Sequence, residues 1–243
     1  MHGADVHSAP HLSNTRAILL DIEGTTTPVE FVHQVLFPYA RAHIHDHLDA
    51  RDVAVLRAEY AAEPPQPSLP AWNAADDVGA AEAYVRWLMD RDRKSTGLKS
   101  LQGRIWEEGY RAGELKGKGE VYPDVRPALA RWRKAGKDIA IFSSGSIQAQ
   151  RDLFANTTDG DLSSFLSGYF DTTTGPKREA GSYRKIAAAL RRAPHEVLFV
   201  SDVTAELDAA REAGMQTALC ERASGSATAS NNHARIRSFD ELV

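Results

Sequence analysis

The chain has 243 residues, long enough for one large domain or for a core domain carrying an insertion. Its 42% apolar and 26% charged content is that of an ordinary globular protein, and a net charge of −4 gives no broad electrostatic attraction for nucleic acid or an anionic membrane. Cys220 is the only cysteine, which excludes an intramolecular disulfide and a cysteine zinc cluster; at the end of the apolar run QTALC it reads as a buried, inert thiol.

In chain order, MHGADVHSAPHLSN lacks a basic start followed by an apolar core, so residues 1–15 are expected to be a flexible tail rather than a signal peptide. No run approaches the roughly 18 apolar residues of a membrane span, and a reducing cytoplasmic setting is expected. The stretch AILLDIEGTTTP (17–28) then reads as a buried strand of a parallel sheet ending in two acids. Asp21 and Glu23 have the period-2 spacing that points both the same way in an extended segment. Paired like charges suit a divalent cation, while Gly24 and Thr25 to Thr27 suit a close backbone approach to phosphate. The same stretch, taken alone, would also serve as a turn with a helix cap.

Residues 30–60 have helical apolar spacing, with Phe31, Val35 and Leu36 as one set and Pro38 as a kink. PPQPSLPAW is a surface loop, helical character resumes through AEAYVRWLMDRDRK and LKSLQGRIWEEGYRAG, and ELKGKGEVYPD returns the chain. With almost no strand signal between residues 30 and 120, this region reads as a helical insertion. The second half alternates: helix PDVRPALARWRKAG, strand DIAIFSS, helix SIQAQRDLFAN, a polar loop to YFDTTTGPK, helix SYRKIAAALRRA, strand EVLFVSD, helix TAELDAAREAG, strand QTALC. That alternation implies βαβ units and a parallel sheet. RASGSATASNNH reads as a mobile polar loop, and no internal repeat is present.

Three apolar strands therefore end in chemically useful groups, and in a parallel sheet those ends converge. The first supplies Asp21 and Glu23. The second supplies Ser143 and Ser144 with Gly145 ahead of a helix, a good phosphate cradle. The third supplies Asp202, with Glu206 and Asp208 on the next helix. Lys177, just ahead of SYRKIA, is placed to set a positive charge against a phosphate and a nucleophile. The histidines of AHIHDHL (His43 and His47 sharing a face, His45 not) lack an obvious third ligand and read as a solvated helix face.

This order of motifs resembles that of the haloacid dehalogenase-type phosphotransferases, whose first motif is usually Asp-x-Asp-x-Thr. Here it is DIEGT, and that glutamate, together with FPY, DRKSTGLKSLQG, SSGSIQAQ, SYRKIA and DVTAE, resembles the enolase-phosphatase family, the acireductone synthases of methionine salvage. The resemblance covers roughly residues 16–222. It implies an α/β fold, a Rossmann-like parallel-sheet core (16–29 and 121–243) with an inserted helical cap domain (30–120), and one Mg²⁺ per subunit. It also implies that 2,3-diketo-5-methylthiopentyl-1-phosphate is enolised and then dephosphorylated. Carried over residue by residue, Asp21 matches the nucleophile and a metal ligand, Glu23 a catalytic acid and further metal contact, and Asp202 the third metal acid. Ser143, Ser144 and Lys177 match phosphate and substrate contacts, Lys177 also being catalytic. Glu206 fits a role in orienting Lys177, and Asp208 is expected to face solvent. Trp87, Leu88 and Trp106 are candidates for gripping the methylthio end.

The expected partner is a small phosphate ester, with no nucleic acid or membrane, and a monomer is preferred. Three other readings share parts of the pattern: a phosphatase of the same superfamily acting on another small ester, a phospho-receiver module, and an inactive binding descendant. A phospho-receiver would not need an insertion of ~90 residues, which exceeds ordinary loop lengths.

Overall fold

The computed structural model describes residues 12–93, 95–222 and 233–243. Most of the expected N-terminal tail and of the polar loop at 222–233 lies outside the described residues. Residues 12–15 are not a loose tail. Leu12 and Thr15 are buried, and Lys137 Nζ donates to both of their carbonyls, at 2.7 and 2.8 Å.

The chain divides into two compact units, one holding the described residues up to Phe31 and from Gly117 onward, the other Val32–Lys116. The first is built on strands β1 (Ala17–Leu20), β2 (Asp138–Phe142), β3 (Gly168–Phe170), β4 (Val197–Ser201), β5 (Gln216–Cys220) and β6 (Ala234–Ile236). They form one sheet in the order β3-β2-β1-β4-β5-β6, every neighbouring pair parallel. Central strands β1 and β4 are buried along their whole length, as their unbroken apolar runs require when helices cover both faces. The short edge strands β3 and β6 were not expected. Each has three residues, mostly half-buried, and no apolar run that could announce it.

The helices of both units in chain order are α1 (Val29–Phe31), α2 (Phe37–His47), α3 (Ala50–Ala61), α4 (Asp77–Met89), α5 (Thr96–Arg111), α6 (Val125–Lys134), α7 (Ile147–Ala155), α8 (Ala180–Ala189) and α9 (Thr204–Glu212). In the first unit, α6 ends at Gly136, whose φ of 74° is the left-handed turn that glycine allows. Tyr183 of α8 and Leu207 of α9 pack with Leu19, Phe142 and Phe199 in one apolar cluster.

The Val32–Lys116 unit is helical throughout its described regular structure. A π-helical turn at Val32–Leu36 runs directly into α2, and Pro38 sits where the π turn gives way to α geometry. The expected 30–60 helical run breaks at Leu48, and Asp49 and Asp52 then cap α3 reciprocally. Trp87 and Leu88 belong to this unit's core at 5% and 1% exposure, so their surfaces go to packing rather than to gripping a ligand. Trp106 packs against the same cluster, its Nε1 donating to the Leu36 carbonyl at 2.9 Å. The three histidines of α2 are engaged rather than merely solvated: His43 and His47 bond the Tyr39 and His43 carbonyls, and His47 and His45 also meet Glu108 and Glu82.

Phe199 is fully buried on β4, its ring 5.1 Å from that of Tyr183. Phe199→Ala should lower unfolding stability by about 3–5 kcal/mol, through lost burial and a cavity that central strands cannot close. Urea denaturation of the variant beside the parent chain checks this.

Candidate active site

The topology brings the expected residues to one edge. Strands β2, β1 and β4 are parallel neighbours, so the segments following Phe142, Leu20 and Ser201 leave from the same edge of the sheet.

Asp21 follows β1 directly, and its N–H still donates to the Val200 carbonyl at 3.0 Å. The chain then coils: Ile22 accepts at its carbonyl from the amides of Thr25, Thr26 and Thr27, and Thr26 Oγ1 donates back to the Asp21 carbonyl at 3.1 Å. The backbone bends after Asp21, yet the charges of Asp21 and Glu23 both act on the Asp202 carboxyl. Asp21 is buried and Glu23 is exposed. Gly24 takes a φ of 70°, and a Cβ there would overlap the Asp202 carboxylate. The segments DIEGT and DVTAE therefore touch at a position where only glycine leaves room. Among the described residues, the buried hydroxyls of Thr25 and Thr27 have no hydrogen-bond partner.

Asp21 Oδ1 accepts from Lys177 Nζ at 2.6 Å and from the Ile22 amide at 2.8 Å. Lys177 Nζ also lies 2.7 Å from Glu206 Oε2, and its side chain is only 10% exposed. Burial by itself would lower the Lys177 ammonium, but Asp21 and Glu206 outweigh it and hold it above its ordinary range. Burial raises the Glu206 carboxyl, and repulsion from Asp21 adds to that against the pull of Lys177. Asp202 keeps an exposed edge, yet the surrounding protein and then Asp21 push its carboxyl up to about 6.

Ser143 and Ser144 follow β2 as expected. The helix end beyond them is less open than its sequence suggests. The Gly145 amide donates to Ser143 Oγ, that of Ile147 to Asp171 Oδ2, and that of Ala149 to Ser146 Oγ. Asp208 is half exposed and meets Arg211 and His233, away from the Lys177 cluster.

Three contributors carry no local signature. Ser201 Oγ accepts from the Val203 amide and lies 3.2 Å from Asp21 Oδ2 and 3.3 Å from Glu206 Oε2, so its single proton is shared between two carboxylates. The Tyr183 hydroxyl donates to the Lys177 carbonyl at 2.7 Å and fixes the backbone that carries the ammonium. Asp171 ties the loop after β3 to the start of α7, accepting from Thr173 as well as Ile147. Ser201 directly precedes Asp202 in EVLFVSD, where nothing local sets it apart from the strand. The Asp171 contact with Ile147 spans 24 residues, and the Tyr183 contact with Lys177 bridges the turn into α8.

Residues 15–214 match the haloacid dehalogenase-like hydrolase family. The chain is 56% identical to the enolase-phosphatase E1 of Synechococcus elongatus over 93% of its own length and 96% of that relative. It is 48% identical to the enolase-phosphatase E1 of Sorangium cellulosum, covering 94% and 97% of the two chains. The chain belongs to the enolase-phosphatase family of the haloacid dehalogenase-like hydrolases. The solved UTR4 protein of Saccharomyces cerevisiae superposes with a TM-score of 0.72 at 32% identity, over 94% of this chain and 100% of that one. The magnesium-bound hydrolase YfnB of Bacillus subtilis shares the fold alone, with a TM-score of 0.58 at 14% identity.

This superfamily commonly works with Mg²⁺, and the donor set bears on that. Among the described residues no group of three or more His, Cys, Asp and Glu side chains could by itself hold a metal ion. Asp21, Glu23 and Asp202 are therefore not a self-sufficient cage. Mg²⁺ does not require one, since it is commonly held by one or two carboxylates together with water and phosphate oxygens. The surplus of carboxylates over the single Lys177 ammonium, and the upward push on Asp202 by Asp21, fit a site completed by such a cation.

Gly24→Ala should cost about 1–2 kcal/mol of stability from the left-handed backbone alone. It should also displace Asp202 and cut turnover by roughly a hundredfold. Unfolding and steady-state kinetics on one preparation read both. A second expectation concerns pH. The Asp202 carboxyl rises from 3.8 to about 6 on folding, so ionising it opposes folding, and stability should fall as pH rises through that window in chelator-treated protein. Asp202→Asn should flatten that limb of the pH–stability curve, as measured by denaturation from pH 4 to 7.

Proposed function

We propose that this chain converts 2,3-diketo-5-methylthiopentyl-1-phosphate to acireductone and phosphate, enolising the diketone first and then removing phosphate through Asp21. The observation that carries the proposal is the buried pair of Asp21 and Lys177, 2.6 Å apart beyond a central strand, in a chain 56% identical to a curated enolase-phosphatase. Cytoplasmic location and a monomeric state belong to the same proposal.

Asp21 and Asp202 would hold Mg²⁺, with Glu23 as a further contact. When bound, the ion supplies charge neutralisation to the phosphate and to a developing enolate. Lys177 binds a phosphate oxygen while holding Asp21 by Oδ1, and the Ser201 hydroxyl meets Asp21 at Oδ2. Ser143 and Ser144 contribute hydroxyls to the same phosphate.

The order of steps follows from leaving-group chemistry. Expelling an alkoxide from phosphorus is hard. Once the neighbouring carbon has lost its proton, the departing oxygen belongs to an ene-diol and leaves as a stabilised anion. An Asp21 oxygen then forms a bond to phosphorus as the ester P–O bond breaks, and the electron pair goes to the enol oxygen. Water attacks the resulting aspartyl phosphate and returns the carboxylate and free phosphate. Glu206 keeps the Lys177 ammonium charged and aimed throughout, being 2.7 Å from it.

Incubating the Mg²⁺-loaded protein with the diketo phosphate, while following enol absorbance and phosphate together, tests the proposal. Both signals should rise. Phosphate without an enol signal would instead support a phosphatase of other specificity, and neither signal would reject the function. Asp21→Asn should release essentially no phosphate yet retain measurable exchange of the substrate's acidic C–H for deuterium. Loss of both activities to the same degree would place Asp21 in both steps.

A further inference from the structure

Arg222 lies beyond every motif named above, yet it reaches the loop that carries Asp21. Its Nε and Nη2 both donate to the Thr25 carbonyl, at 2.9 and 2.7 Å, and its Nη1 lies 2.6 Å from Asp124 Oδ2. The guanidinium lies 4.4 Å from the Tyr122 ring centroid and 4.5 Å from that of Phe239, and the side chain is only 7% exposed. Asp124 Oδ2 also accepts from Ser238 Oγ and from the Phe239 amide, which fixes the counter-ion from the opposite side.

Thr25 is fully buried, and its carbonyl points outward from a coil whose other bonds close on Ile22 and Asp21. The Tyr122 amide holds the next carbonyl, Thr26, at 3.0 Å. The coil between Asp21 and Thr27 is thus gripped from outside at two successive carbonyls. Arg222 supplies the stronger grip, because a charged planar fork donates twice to one oxygen.

We infer that Arg222 is a positioning residue for the proposed reaction: its fork on Thr25 holds the coil so that Asp21 and Gly24 keep their places beside Lys177 and Asp202. The inference rests on the reading of Asp21 as the nucleophile. The requirement is for guanidinium shape as well as charge. Lysine could still pair with Asp124, but it cannot donate in parallel to Thr25 while lying flat between two rings.

Arg222→Lys and Arg222→Ala test this with two readouts: kinetics on the diketo phosphate, and amide hydrogen exchange of a peptide covering residues 21–28. Arg222→Lys should lose roughly ten- to a hundredfold in kcat with little change in KM, since the loss is in placement of the reacting carboxylate rather than in substrate contact. Exchange in residues 21–28 should quicken while the strand peptides keep native protection. Adding guanidinium ion at millimolar concentration to Arg222→Ala should restore part of both. Native kcat and native 21–28 protection in either variant would overturn the inference. So would faster exchange throughout the chain with kcat falling only as the folded fraction falls, because that describes a purely structural residue. If Arg222→Ala does not fold, Arg222→Lys decides alone. If the parent chain does not turn over the diketo phosphate, the proposed function fails, and the exchange readout still decides whether Arg222 holds the coil.

Discussion

The site depends on one buried ammonium. Lys177 Nζ stands 2.6 Å from Asp21 Oδ1 and 2.7 Å from Glu206 Oε2, in surroundings that leave its side chain 10% exposed. Taking an ammonium out of water costs several kcal/mol, and removing one partner of such a pair typically costs about 3–5 kcal/mol because the other charge is stranded. The cluster is therefore not there to strengthen the fold. It fixes geometry, with one charge setting the relation between the exit of β1, the first turn of α9 and the segment before α8. Tyr183 and Ser201 extend that control from beneath, one anchoring the Lys177 backbone and the other sharing a proton between the two carboxylates.

The apolar core makes this arrangement affordable. Strands β1 and β4 are buried along their whole length, and Leu19, Phe142 and Phe199 pack against Tyr183 and Leu207. Tyr183 belongs to both systems: its ring fills the core and its hydroxyl reaches the Lys177 carbonyl. A rigid sheet whose neighbouring strands all run in parallel delivers its polar exits to one edge with fixed spacing. The coil after Asp21 then folds back on the Ile22 carbonyl, which brings Gly24 against Asp202. Loop and sheet make the site together.

What the sequence disclosed follows the range of each interaction. Strands β1, β2, β4 and β5 were legible because each carries an apolar run of three or four residues, and their polar exits were legible with them. Edge strands β3 and β6 were not, since three half-buried residues leave no periodic trace. Period-2 spacing set Asp21 and Glu23 on one side, and both act on Asp202, but the coil that begins one residue past the strand buries only Asp21. Trp87 and Leu88 looked like ligand contacts because an aromatic beside an aliphatic fits a pocket as well as a core, and only three-dimensional packing separates the two. Asp171, Tyr183 and Arg222 act through contacts that no local pattern encodes. Lys177 was found because the order of motifs along the chain, rather than any spacing around it, singled it out.

The distribution of charge explains why the acids gather despite their cost. Asp21, Asp202 and Glu206 surround one ammonium, and burial together with the excess negative charge raises the carboxyls of Asp202 and Glu206. A phosphate ester bringing further negative charge would be repelled by such a site unless cationic charge arrived with it or before it. Burial first, and then repulsion from Asp21, raises the carboxyls of both Glu206 and Asp202, and the Lys177 ammonium offsets only part of that rise. A carboxyl destabilised as an anion, as Asp202 is beside Asp21, is better placed to welcome a divalent cation than a relaxed one, because binding relieves the repulsion already built into the fold. In this view the electrostatic strain that folding tolerates becomes affinity for what the chemistry needs, and Gly24 is the residue whose missing side chain lets Asp202 come close enough to Asp21 for that strain to exist.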